Sequence, residues 1–231
     1  MNLSFPYSLV DLTHTISSEI PTWNGTCGFF QDIKLDYDPD PNKLSFRVQQ
    51  LKMHAGIGTH IDAPCHCIPG GMSVDQLSLK KLIAPCVVID ISNKAHERYS
   101  LSVQDVKDFE NEFGQIQEGT FIIVYTGWQQ YWTDVQKYRN NFVFPSVSKD
   151  ACLYLKDKNI VGLGIDTISP DRPEDGFLVH EILLGSNMYI VENIANAKKL
   201  PPVGAFSCAL PIKTKDGSEA PIRLIGFIPK K

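Results

Sequence analysis

The sequence predicts a mixed α/β domain, and three observations carry that expectation. Short runs rich in β-branched and aromatic residues alternate with stretches whose apolar residues recur at helical spacing. No internal repeat or low-complexity tract interrupts them. At 231 residues and 43% hydrophobic content, the chain is long enough for one substantial core and short for two, so residues 1–231 are read as one domain.

Nine segments read as strands: SLVDLT, FFQDIKLDY, LSFRVQQLKM, PCVVIDIS, TFIIVYT, IVGLGID, MYIVEN, GAFSCAL and IRLIGFI, each bounded by Pro, Gly, Asn or Asp. In LSFRVQQLKM the apolar parity changes between Val48 and Leu51, which predicts a bulge there. Ser102 and Asp105 resemble a capping box, and Val103, Val106, Phe109 and Phe113 repeat at helical spacing up to Gly114, so a helix is expected over that stretch. A second helix should follow Ser148 through Leu155. A short third should carry FLVHEILL and stop at Gly185.

Charge and composition exclude several classes of function. The net charge is -4, and the lysines are scattered or paired, so no basic stripe exists to release counterions from a phosphate backbone. Nucleic acid is not an expected partner. No stretch approaches the ~20 apolar residues of a membrane span, and the opening residues lack the charged and apolar regions of a leader, so a cytoplasmic protein is expected. Six cysteines, none in CxxC spacing, fit a reducing compartment. Cys65 and Cys67 flank His66 but share a face that it does not, and they read as small packing residues.

Residues 54–66, HAGIGTHIDAPCH, hold three histidines and an aspartate. Imidazole nitrogen and carboxylate oxygen are the donors that zinc or manganese takes at a catalytic site. His60 and Asp62, two apart, point to one face of an extended segment and can bind one ion side by side. The other reading is a polar turn, with Asp62 capping backbone amides and His66 on the surface. Spacing alone leaves both open. Further along, His180 by itself reads as a helix-face residue and Glu192 as a solvated strand end.

The zincin pattern is excluded because HEILL has Leu184 in place of the second histidine, and no GxSxG elbow occurs. GIGTHI and GLGIDT lack the third glycine of a dinucleotide fingerprint.

Several ordered motifs, DLTHTISSEIPTW, GTHIDAPCH with GGMSVDQL, YTGWQQYW, GLGIDTISPD, VHEILLGSNMYIVENI and LPPVGAFSCALPIK, together resemble the cyclase family of metal-dependent hydrolases, which includes bacterial kynurenine formamidase and isatin hydrolase. The resemblance runs through nearly the whole chain. It implies a swivelling β/β/α domain with a mixed, partly barrel-like sheet flanked by helices, assembled as a homodimer or homotetramer. It also implies one or two divalent ions, zinc or manganese, held by His60, Asp62, His180 and Glu192. The last two have the family's twelve-residue separation. His66 falls at the family's proton-transfer position, and Trp23 lies where the N-terminal segment helps to form the substrate pocket. The activity implied is hydrolysis of a C–N amide bond in an aryl formamide or cyclic amide, such as N-formylkynurenine in tryptophan catabolism.

One departure stands out. The family pattern, approximately HTHVGTHIDAP, has a ligand histidine four residues before the central one, and here that position is Gly56. His54 lies on the same side of an extended chain and is the candidate replacement, although two residues of offset is roughly 6–7 Å along a strand. Loss of this ligand is expected to leave one metal position short of donors. It also keeps two other readings open: a degenerate member that only binds a small ligand, and a cyclase or lyase acting on another acyl substrate.

Overall fold

The structure, a computed structural model, describes residues 4–230. The expected span of 1–231 therefore runs past the described residues by its first three and its last. In chain order the strands are β1 (Tyr7–Asp11), β2 (Phe29–Leu35), β3 (Val48–Met53), β4 (His60–Asp62), β5 (Ile83–Asp90), β6 (Ser100–Leu101), β7 (Phe121–Tyr125), β8 (Ser146–Val147), β9 (Gly162–Ile165), β10 (Tyr189–Glu192), β11 (Ala205–Pro211) and β12 (Glu219–Pro229). The helices are α1 (Leu79–Leu82), α2 (Val103–Phe113), α3 (Val135–Arg139), α4 (Lys149–Asp157) and α5 (Leu178–Gly185).

The main sheet runs β1-β12-β11-β5-β7-β9-β10-β4, and β12 also pairs with β4. That pairing closes seven strands, β12 through β4, into a mixed barrel, with β1 pairing with the later half of β12, beyond β4. Strands β5, β7, β9 and β10 are parallel neighbours, whereas β4, β11 and β12 are antiparallel. This is the mixed, barrel-like sheet flanked by helices that the family resemblance implies.

Alternation along the strands builds two cores. On β7, Phe121, Ile123 and Tyr125 join the cluster enclosed by the barrel, while Ile122 and Val124 pack outward. The outward cluster takes Val106 and Phe109 of α2, Ala151, Cys152 and Leu155 of α4, and Val179, Leu183 and Leu184 of α5. A continuous apolar run such as FIIVY is what a strand covered on both faces requires. Burying each such side chain contributes about 1.5–3 kcal/mol, so α5 is anchored to the sheet by three of them.

All nine expected strands are present, and α2 carries the capping box: Ser102 Oγ accepts from Asp105 N, and Asp105 Oδ2 accepts from Ser102 N. Gly114 ends it at φ 97°. One local expectation is corrected. The register irregularity falls on β2, between Ile33 and Leu35, and not within β3, because β3 begins only at Val48 and leaves Leu44 and Phe46 outside the ladder. Helix α5 stops at Gly185 as expected, and the left-handed residue after it is Asn187 at φ 59°. Short strands β4, β6 and β8 had no strong sequence signal.

His14 packs the segment after β1 against the turn that precedes α3. Its ring stacks on Trp132 at 3.9 Å and 10°, and its Nε2 is buried without a hydrogen-bond partner. Burial lowers its pKa from 6.5 to about 4. Between those values the unfolded chain binds the proton more readily. This contribution to stability is therefore complete above pH 6.5 and lost as pH falls through 4. His14→Phe, which keeps the stack, should unfold in urea with a shallower loss of stability over that range; identical pH profiles would refute this.

Candidate metal centre

Three adjacent strands set the site by register. On β4, Ile61 points into the barrel and is fully buried, so His60 and Asp62 point to the outer face. Across the β10–β4 ladder Glu192 lies opposite His60. Across the β12–β4 ladder Glu219 lies opposite Asp62. Directly opposed residues share a face, so four polar side chains converge on one patch. Helix α5, docked on the same outer face, adds His180.

Both imidazoles are held by their far nitrogen. His60 Nδ1 lies 2.9 Å from the Gly58 carbonyl, which fixes Nδ1–H as donor and leaves Nε2 free, 3.4 Å from Asp62 Oδ1 and 3.4 Å from Glu192 Oε2. Gly58 adopts φ +61°, a conformation suited to glycine, and its carbonyl also accepts from Asn193 Nδ2. His180 Nδ1 lies 2.8 Å from Asp171 Oδ2, and its Nε2 faces Glu192 Oε1 at 3.5 Å and Asp62 Oδ2 at 3.8 Å. Asp171 also accepts the backbone N–H groups of Val179 and His180, so one buried carboxylate fixes both the start of α5 and the ring it presents.

The two oxygens of Asp62 are buried and have no hydrogen-bond partner. A buried ionised carboxylate left this way is costly unless a cation balances it. Burial pushes the Asp62 carboxyl up to about 6, with His60 opposing and Glu192 reinforcing that rise. For His60 and His180 burial acts downward but is outweighed: Asp62 and Glu192 hold His60 above its usual value, and Asp171 and Glu192 hold His180 well above it. The donor atoms form two sets, His60–Asp62–Glu219 and Asp62–His180–Glu192, each with its atoms within 4.8 Å of one another. Nitrogen and oxygen donors of this kind, with carboxylates in the majority, fit zinc or manganese.

A cavity of about 610 Å³ opens over this patch. His66 lies at its wall, Nδ1 3.5 Å from Glu219 Oε2 and its ring 5.9 Å from that of His180. Trp23 lines the cavity with Phe177, the ring centroids 6.0 Å apart, and packs on Phe142 at 4.5 Å. Phe29 and Phe30 lie on β2, outside it.

His54 lines the same cavity but is exposed and belongs to neither donor set. Cys65 packs partly against the barrel core, with its thiol toward the Gly217 carbonyl. Burial raises both the Cys65 and Cys67 thiols, so neither is an activated nucleophile.

Two residues of the site were not foreseen. Asp171 lies in the ISPD segment, whose only local signal is a turn ahead of a helix. Glu219 becomes a neighbour of Asp62 only when β12 closes the barrel. Because Asp171 holds His180 without reaching the donor cluster, Asp171→Asn should lower metal affinity ~10–100-fold in calorimetric titration while the fold persists. An unchanged affinity would contradict that positioning role.

The chain is similar to several known proteins. The profile of the family described as "Putative cyclase" matches residues 10–172. Isatin hydrolase of Roseibium aggregatum is 33% identical over 211 residues, covering 84% of this chain and 79% of that protein. Kynurenine formamidase of Bacillus mycoides is 26% identical, covering 94% of this chain and 95% of the relative. Among solved structures, isatin hydrolase A from Labrenzia aggregata, bound to benzyl benzoate, superposes with a TM-score of 0.87 at 27% identity, covering 97% of this chain and 95% of that one. Another, described as a "Potential Metal-Dependent Hydrolase With Cyclase Activity", gives 0.77 at 25%, with coverage of 97% and 100%. The chain belongs to the cyclase family. It is an enzyme of the metal-dependent hydrolase class that this family defines.

Proposed function

We propose that this chain hydrolyses the C–N bond of an aryl formamide or cyclic amide, of the N-formylkynurenine or isatin kind, at a zinc or manganese centre held by His60, Asp62, His180 and Glu192. The observation that carries this reading is Asp62, a buried carboxylate with neither oxygen hydrogen-bonded, set between the free nitrogens of two oriented histidines. When bound, a divalent ion supplies a Lewis acid for the substrate carbonyl and lowers the pKa of water toward about 7. His66, on the cavity wall, takes the proton from the attacking water and returns it to the departing nitrogen as the C–N bond breaks. Trp23, with Phe142 and Phe177 beside it, offers a flat apolar surface to an aryl ring.

Names of the relatives support both substrates, as one is an isatin hydrolase and the other a kynurenine formamidase. The chain acts as one domain in the cytoplasm; among the described residues no helix is long and apolar enough to cross a membrane. The β2–β3 hairpin and its connection expose Phe30, Ile33, Leu35, Leu44, Phe46 and Leu51, all at least half accessible, and this exposed apolar arm supports assembly as a homodimer or homotetramer. A monomer mass by light scattering would contradict that assembly.

The test of function is turnover of N-formylkynurenine and isatin by purified protein, alongside its elemental analysis. The reading expects bound zinc or manganese and hydrolysis of at least one substrate that chelation abolishes. Metal-loaded protein that binds these compounds without cleaving them would instead mark a small-ligand binding protein.

A further inference from the structure

We propose that Glu219 completes the metal position that Gly56 leaves short, so that the centre holds two ions with Asp62 between them. This rests on the metal-centre reading above and concerns only how that centre is built. Gly56 lacks positive φ, so its backbone does not require glycine. What occupies the space is Glu219: a Cβ at position 56 would overlap Glu219 Oε1, with Glu219 Cδ at 3.0 Å, and would stand 3.3 Å from His60 Nε2. The glycine leaves a gap beside the free nitrogen of His60, and a carboxylate from the neighbouring strand fills it.

Register explains how it gets there. Glu219 begins β12 directly opposite Asp62, while Pro221 faces His60, so the β12–β4 pairing that closes the barrel also delivers the carboxylate. His54 stands two residues before Gly56 and outside the cluster. Asp62 suits the shared role: Oδ1 faces His60 and Oδ2 faces His180, one oxygen toward each donor set. A centre with three carboxylates and two imidazoles is richer in oxygen than one with a third histidine, which suits manganese.

The test is Mn2+ titration of the metal-depleted full chain, with free Mn2+ read by electron paramagnetic resonance and the fold of each variant checked by circular dichroism. Wild type should bind two ions per chain. Glu219→Gln should bind one, or bind the second at least ~10-fold more weakly. Adding Gly56→His to Glu219→Gln should restore the second ion, because the side chain at 56 then has the vacated space; if Glu219→Gln does not fold, Glu219→Ser serves in both arms. His66→Ala should keep both ions, which separates a ligand role for Glu219 from its contact with His66. The proposal is overturned if Glu219→Gln binds both ions as tightly as wild type, or if wild type binds only one. Those failures leave the metal centre standing provided Asp62→Asn still loses what wild type binds, whereas a wild type that binds no ion overturns both.

Discussion

Asp62→Asn should lose its metal and its turnover together, with affinity for Mn2+ or Zn2+ down by more than ~100-fold and hydrolysis at background. Asparagine has nearly the same shape, so the β4 ladder and Ile61 packing are kept and the change is one of charge and donor capacity. The two oxygens are buried without partners, each facing an imidazole nitrogen, and Asp62 belongs to both donor sets. Replacing one oxygen by an NH2 group puts donors where the cluster presents lone pairs. Losses from disturbing even residues behind the ligands run ~10–100-fold, and losing a shared ligand exceeds that. The paired measurement is calorimetric metal titration and a substrate assay on the same preparation. Full metal binding with full turnover would show that Asp62 is not a ligand.

His66→Ala should separate what Asp62→Asn joins. Metal stoichiometry should remain at the wild-type value, while kcat falls ~10²–10⁴-fold, the range for removing a positioned acid or base. The geometry argues for this split: His66 lines the cavity, touches Glu219 at 3.5 Å and lies outside both donor sets. It follows Pro64 in the 3₁₀ turn Pro64–His66, just beyond β4, which carries it from the metal face to the cavity rim. Loss of metal in His66→Ala would make it a ligand, and an unchanged kcat would remove it from the chemistry.

What the sequence could reveal about this fold depended on how local each signal was. Nine strands and the three longer helices were legible because their apolar periodicity, caps and stops lie within the segments themselves, as in the Ser102–Asp105 box ahead of α2. Strand β4 was not, because three residues carry no period, and HID becomes a strand only through its pairing with both β10 and β12. The site divides in the same way. His60 and Asp62 were visible as an alternating pair, and His180 and Glu192 through the family motifs around them. Glu219 follows Asp216, Gly217 and Ser218 and reads locally as the end of a turn; only closure of the barrel sets it opposite Asp62. Asp171 was invisible for the same reason, as its role lies in the His180 ring and the amides of Val179 and His180, eight and nine residues on.

The absence of a histidine at position 56 suggested a centre missing a donor. In the folded chain that space holds the Glu219 carboxylate instead, and under the proposal above the departure from the family pattern is a change of ligand type and origin, from β4's own approach segment to the strand beside it. The expectation of a metal-dependent hydrolase therefore does not depend on His54.

The most direct test of the central claim is to strip the purified wild-type protein of metal and follow hydrolysis of N-formylkynurenine and isatin as Mn2+ or Zn2+ is added back. The account predicts no turnover in the stripped protein and recovery that rises with occupancy and saturates when the centre is filled. Full turnover of either substrate by protein shown by elemental analysis to be metal-free would contradict it.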